Sequence, residues 1–183
     1  MDRALLLRLL AEHSFRRGDF VLSSGVRSPY YIDARLTTMS PQGLRIIGML
    51  GFQALIAHGW HADAIGGLTL GADPIAYAIS YFSADTPTPI RAFTVRKEPK
   101  AHGAGRQIEG PFRTTDSCVV IEDVVTTGGS AIQAIRIVRQ AGANVLGVLA
   151  VVDREEGGKT EIEKLGISLV SLARVSELVE IHG

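Results

Sequence analysis

The sequence predicts an α/β fold with a mostly parallel central sheet flanked by helices. Three observations predict it. Apolar stretches of strand length alternate with segments of helical period along most of the chain. Residues 145–152 are apolar throughout, the pattern of a strand covered on both faces of a parallel sheet. The 183 residues suit one domain with a sizeable core.

The elements follow in order. Leu5, Leu6, Leu9, Leu10 and His13 recur at helical spacing and predict a short first helix. Residues 20–35 alternate polar and apolar side chains around Ser23-Ser24-Gly25 and Ser28-Pro29, like a hairpin. Ser40-Pro41 starts a helix, with a hydroxyl cap and a proline in the first turn. Leu44, Ile47, Gly51 and Leu55 give it one packing face, and Gly59 ends it. Residues 62–68 predict a strand, and Asp73-Pro74 caps a helix that runs to about Ser83. Residues 90–95 predict a strand, and 96–114 have neither period and predict a long loop. A strand over 119–121 and a helix over 130–141 follow. That helix has Ala131, Ala134, Ile135, Val138 and Ala141 on one face and Gly142 as its stop. After the strand at 145–152, a short helix over 159–165, a strand over 167–173 and a helix from Ser176 complete the chain. Ligands of such a fold sit beyond the carboxyl ends of the strands.

Composition narrows the partners. Apolar residues make up 46% and charged residues 21%, and 19 Lys and Arg balance 19 Asp and Glu. No global charge points to nucleic acid or to an anionic membrane, so anion binding must come from local clusters. No stretch approaches the roughly 18 apolar residues of a membrane span. Arg8 and Glu12 interrupt the first apolar run too early for a signal peptide. Cys118 is the single cysteine and fits a reducing compartment as a small buried residue at a strand start. The expectation is a cytoplasmic protein.

The densest chemistry lies at residues 119–130. Three apolar residues deliver Glu122 and Asp123 to a strand end. Adjacent strand residues point to opposite faces, which gives the two acids different jobs, such as a sugar's two hydroxyls or a hydroxyl and a metal. Val124 and Val125 lead to Thr126, Thr127, Gly128, Gly129 and Ser130 at the start of a helix. Successive N–H groups there form an anion cradle, hydroxyls add donors, and glycines let the backbone approach a phosphate. A helix cap with a turn explains any one of these residues, but not all of them together. The loop lacks the lysine of a Walker A motif and the spacing of a dinucleotide fingerprint.

This segment resembles the phosphoribosyl-diphosphate (PRPP) binding motif of type I phosphoribosyltransferases. The resemblance implies that fold, with residues 1–36 as an N-terminal hood and 37–183 as the PRPP-binding core of a single domain. It implies that Glu122 and Asp123 hold the ribose hydroxyls. Val124, Val125, Thr126, Thr127, Gly128, Gly129 and Ser130 would complete the PRPP site, with the loop on the 5′-phosphate. It also implies a magnesium ion bridging ribose and diphosphate, with no metal ligand assigned to the protein itself.

The loop at 96–110 carries Arg96, Lys97, Lys100, His102 and Arg106, with Gly103, Gly105 and Gly110 between and after them. A pliable basic arm suits a diphosphate leaving group and can close over a site to exclude water. Glu98 and Glu109 also suit a plain solvated loop. Arg96-Lys97-x-x-Lys100-x-His102-Gly103 is similar to the catalytic loop of the orotate phosphoribosyltransferases. The resemblance implies a homodimer in which Arg96, Lys100 and His102 reach the partner's site and Lys97 serves its own. Arg96, Lys97, Lys100 and His102 would contact PRPP, and Lys97, Lys100 and His102 would be catalytic. Which of them, if any, acts as an acid stays open.

Two further segments fit the same family. The run from Phe20 to Asp33, with Tyr30 and Tyr31, resembles its hood, although many members have lysine at Ser23. The run Gly66 to Ala76 resembles its diphosphate loop, in a subtype with Gly71 where others have lysine. Arg154 follows the apolar strand at 145–152. There it can pair with Glu155 or Glu156, or make a bidentate pair with a substrate carboxylate. The resemblance assigns Arg154 and Thr126 to orotate. It implies the conversion of orotate and PRPP to orotidine 5′-phosphate and diphosphate. The rival expectations are transfer to another base and a noncatalytic PRPP-sensing regulator.

Overall fold

The structure, a computed structural model, describes residues 2–21, 27–98 and 107–181. Helix α1 (Asp2–Leu9) continues into a π-helical segment, Leu10–Ser14. An antiparallel hairpin of β1 (Phe15–Val21) and β2 (Arg27–Ile32) follows, then α2 (Arg35–Thr38) and α3 (Pro41–Ala57). The hairpin begins five residues earlier than expected, and its turn, with Ser23, lies outside the described residues. Ser40 caps α3 as expected, its Oγ accepting from the Gly43 N–H at 3.0 Å.

The core is built from β3 (Ala64–Leu68), α4 (Ala72–Ser83), β4 (Arg91–Val95), β5 (Ile108–Glu109), β6 (Ser117–Val125), α5 (Gly129–Gln140), β7 (Asn144–Asp153), α6 (Gly158–Glu163), β8 (Leu169–Arg174) and α7 (Val175–Ile181). The strand order is β5-β4-β3-β6-β7-β8, parallel except at β5. Continuous apolar strands arise because alternate residues feed two layers. Val119, Ile121, Leu149 and Val151 face one buried cluster, and Cys118, Val120, Val148 and Ala150 face the other. Leu6 and Leu9 of α1 are buried in the first cluster, with Leu5 and Leu7 packed against it, and Arg3 ties this helix to Glu177 at 2.7 Å.

Three expectations are corrected. Residues 96–114 are not wholly loop, because β5 adds an antiparallel edge to β4. Two residues carry no readable period, and backbone pairing forms this strand. Strand β6 does not stop at residue 121. Val124 and Val125 pair with Val152 and Asp153, so the acids sit within the strand and the loop begins at Thr126. Asp73 does not cap α4. Gly71 is the cap residue, and the Asp73 carboxylate accepts from Thr69 Oγ1 at 2.7 Å and Thr94 Oγ1 at 2.8 Å. It ties the β3–α4 loop to β4.

The chain runs from β3 to β4 on one side, then returns to β6 on the other. The crevice at this reversal is where a parallel sheet receives its ligand.

Candidate active site

Two adjoining cavities open at the carboxyl ends of the parallel strands. The larger, about 760 Å³, is lined by Glu122, residues 124–131, Arg154 and Glu156, with Val21 and Tyr31 from the hairpin. The smaller, about 540 Å³, is lined by Asp33, Arg35, residues 68–71, Lys97 and Asp123. Tyr31, Glu122, Val124, Thr126, Ser130 and Arg154 border both.

The loop after β6 is shaped for an anion. Gly128 has φ +83°, a left-handed conformation that side chains resist. No side chain caps α5, so its first N–H groups remain available as donors. Gly129 has open space where a side chain would stand. Thr126, Thr127 and Ser130 add hydroxyls along the same wall.

The acids differ from the sequence expectation. Rather than facing apart, Glu122 and Asp123 line the same cavity. Asp123 Oδ1 accepts from the Val124 N–H at 2.9 Å, and its carboxylate lies against the Gly71 backbone. A Cβ on residue 71 would stand 2.5 Å from Asp123 Oδ1. The space left by Gly71 therefore seats Asp123.

Burial and the neighbouring Asp123 carboxylate push the Glu122 carboxyl up to about 9, while Lys97 draws it down. Its ordinary value is 4.5. Between these values the folded protein keeps a proton that the unfolded chain has lost. Stability of the free protein should therefore fall as pH rises from 4.5 towards about 9, by at most about 1.4 kcal/mol per pH unit from this group. Thermal melts from pH 6 to 8.5 should show the slope in the parent protein and a flatter profile in Glu122→Gln. An equally steep profile in the variant would assign the slope elsewhere.

Arg154 is only 5% exposed. Its Nε donates to Glu156 Oε1 at 2.9 Å, its Nη2 lies 2.7 Å from the same oxygen, and its guanidinium stands 5.0 Å from the Tyr30 ring centroid. The pairing with Glu156 and the position at the cavity thus coexist. The two tyrosines separate: Tyr31 borders the cavities, while Tyr30 lies between Phe15 and Arg154. Of the basic loop, Lys97 lines the smaller cavity. Arg96 pairs with Glu109 at 2.9 Å and borders neither cavity. Lys100, His102 and Arg106 lie outside the described residues.

Sequence reasoning missed two groups. Arg35 borders the smaller cavity and binds Asp33 at 2.8 Å, which holds that carboxyl below its ordinary value. The spacing Asp33-x-Arg35 was a readable signal. Glu156 was weighed only as a surface partner.

No protein-family model matches the chain. Curated relatives do: it is 49% identical over 182 residues to the orotate phosphoribosyltransferase of Aquifex aeolicus, covering 98% of each chain. The chain belongs to the orotate phosphoribosyltransferase family. Solved structures agree. The Mycobacterium tuberculosis orotate phosphoribosyltransferase in complex with Fe(III) dicitrate matches with TM-score 0.85 and 40% identity, over 97% of this chain and 99% of that one. The same enzyme in complex with PRPP matches with TM-score 0.81 and 36% identity, at the same coverages. The fold is therefore the type I phosphoribosyltransferase fold of this family.

Proposed function

We propose that this chain transfers the 5-phosphoribosyl group from PRPP to orotate, giving orotidine 5′-phosphate and diphosphate for pyrimidine nucleotide synthesis. The observation that carries the reading is a buried guanidinium, Arg154, bordering the same cavities as an uncapped helix start and a carboxylate pair. These three groups match a carboxylated base, a phosphate and a sugar.

In this reading residues 124–130 seat PRPP, with the α5 N-terminus on the 5′-phosphate. Glu122 and Asp123 hold the ribose hydroxyls, and Arg154 and Thr126 hold orotate. A base nitrogen displaces diphosphate at C1 through a transition state of oxocarbenium character. No covalent nucleophile is needed, so the residues position two substrates and stabilise the leaving diphosphate. Lys97 does so within its own subunit, and Arg96, Lys100 and His102 from a partner. Magnesium fits this donor set, because it is commonly held by one or two carboxylates with substrate oxygens. When bound, it neutralises diphosphate charge and favours its departure.

A homodimer accords with an exposed aromatic patch on α4, bordered by α3. Tyr77, Tyr81 and Phe82 are exposed there beside Leu44 and Gly48. Light scattering gives the mass in solution. No helix among the described residues is long and apolar enough to cross a membrane. The reducing cytoplasm suits the buried thiol of Cys118.

The test is a steady-state assay following orotate absorbance with PRPP and magnesium. Turnover of orotate, and not of uracil or adenine, is expected. Folded protein without turnover would favour a PRPP-binding regulator.

A further inference from the structure

We infer that Glu156 is a positioning residue that fixes which edge of Arg154 receives the substrate carboxylate, an inference that rests on the orotate reading above. A guanidinium is planar and presents five N–H donors in a rigid fork. Glu156 Oε1 takes Nε at 2.9 Å and Nη2 at 2.7 Å, so it occupies one edge of the fork. The guanidinium stands over the Tyr30 ring, 5.0 Å from its centroid. Ser28 Oγ stands 3.4 Å from Nη2, a long contact. No described residue accepts from Nη1. The edge formed by Nη1 and Nη2 is therefore the one left for two parallel bonds to a carboxylate.

Glu156 is itself held in place. The Arg154 N–H donates to Val125 O at 2.9 Å, and the Glu155 N–H to Asp153 Oδ1 at 2.8 Å. Glu155 takes φ +59°, the left-handed region that side chains disfavour. Its carboxylate accepts from the Ser176 N–H at 3.0 Å, at the start of α7. An unfavourable turn fixed at three points brings residues 154 and 156 together, and such turns persist where the surroundings over-determine them. The pair is also asymmetric. The Arg154 side chain is 6% exposed and that of Glu156 35%, so the anion can lean over a cation that cannot leave. Without Glu156, the guanidinium loses its in-plane anchor and turns towards whatever acceptor the cavity offers.

Steady-state kinetics of the full chain test this. Glu156→Ala is expected to raise KM for orotate about tenfold to a hundredfold, the loss of a charge-assisted contact. The KM for PRPP should stay near the parent value, and kcat within a few-fold. Glu156→Gln, which keeps a carbonyl acceptor for Nε, should recover part of the loss. An unchanged or lower KM for orotate in Glu156→Ala would overturn the inference, the lower value marking Glu156 as a competitor for Arg154. A uniform fall in all parameters with a lower Tm would also overturn it, as a purely structural role. Parent protein that fails to turn over orotate would overturn the orotate reading itself. Parent turnover with unaltered variants would overturn only the role of Glu156.

Discussion

Replacing Arg154 with alanine is expected to lower kcat/KM for orotate by about a hundredfold to several thousandfold. The figure follows from truncating one side of a buried, hydrogen-bonded charge pair, which costs about 3–5 kcal/mol, at about 1.4 kcal/mol per factor of ten. Arg154 has little solvent to replace a lost ligand contact, because it is 95% buried between Tyr30 and the cavities. The loss should fall on orotate and spare PRPP, whose proposed seats lie on β6, α5 and the β3–α4 loop. Folding should survive. The group left behind, Glu156, is over a third exposed and can return to water. Lysine at 154 should rescue poorly, since a point charge cannot reproduce a planar fork. Initial rates over a grid of both substrates check this. A parent-like KM for orotate in Arg154→Ala would remove Arg154 from the orotate site.

What could be read from the sequence follows from where the physics is local. Parallel strands announce themselves because burial on both faces makes them apolar without alternation, as at residues 145–152. Ser40-Pro41 fixes a helix start through its own side chain, and the structure keeps it. Thr126 to Ser130 reads as an anion cradle because the hydroxyls and glycines are adjacent in the chain. Asp73 also looked local, beside a proline at a helix start. Yet its partners are Thr69 and Thr94, and the second comes from a different strand. A cap and a cross-strand tie have the same one-dimensional signature. The seat that Gly71 leaves for Asp123 joins two elements 52 positions apart and has no sequence signal at all. Strand β5 exists only because an edge of β4 is open to pair with it.

The acid pair gives the second large effect, and its sign is the informative part. The double variant Glu122→Gln with Asp123→Asn should lose about 10²- to 10⁴-fold in turnover with PRPP, if each carboxylate gives the ribose about 1.5–3 kcal/mol of charge-assisted hydrogen bonding. The same variant should be more stable than the parent at pH 8. Two carboxylates crowd one wall of one cavity, Glu122 is 7% exposed, and burial with the Asp123 charge holds its proton to about 9. At pH 8 the folded protein therefore holds a proton that the unfolded chain has released, and neutral amides of the same shape remove that cost. A residue kept for the fold would lose stability and activity together. A residue kept for a ligand relaxes the fold when it is removed, because its strain was being held for that ligand. Melting curves beside PRPP titrations separate the two. Lower stability at pH 8 would make the pair structural, and intact PRPP affinity with lost turnover would move it from binding ribose to the chemical step.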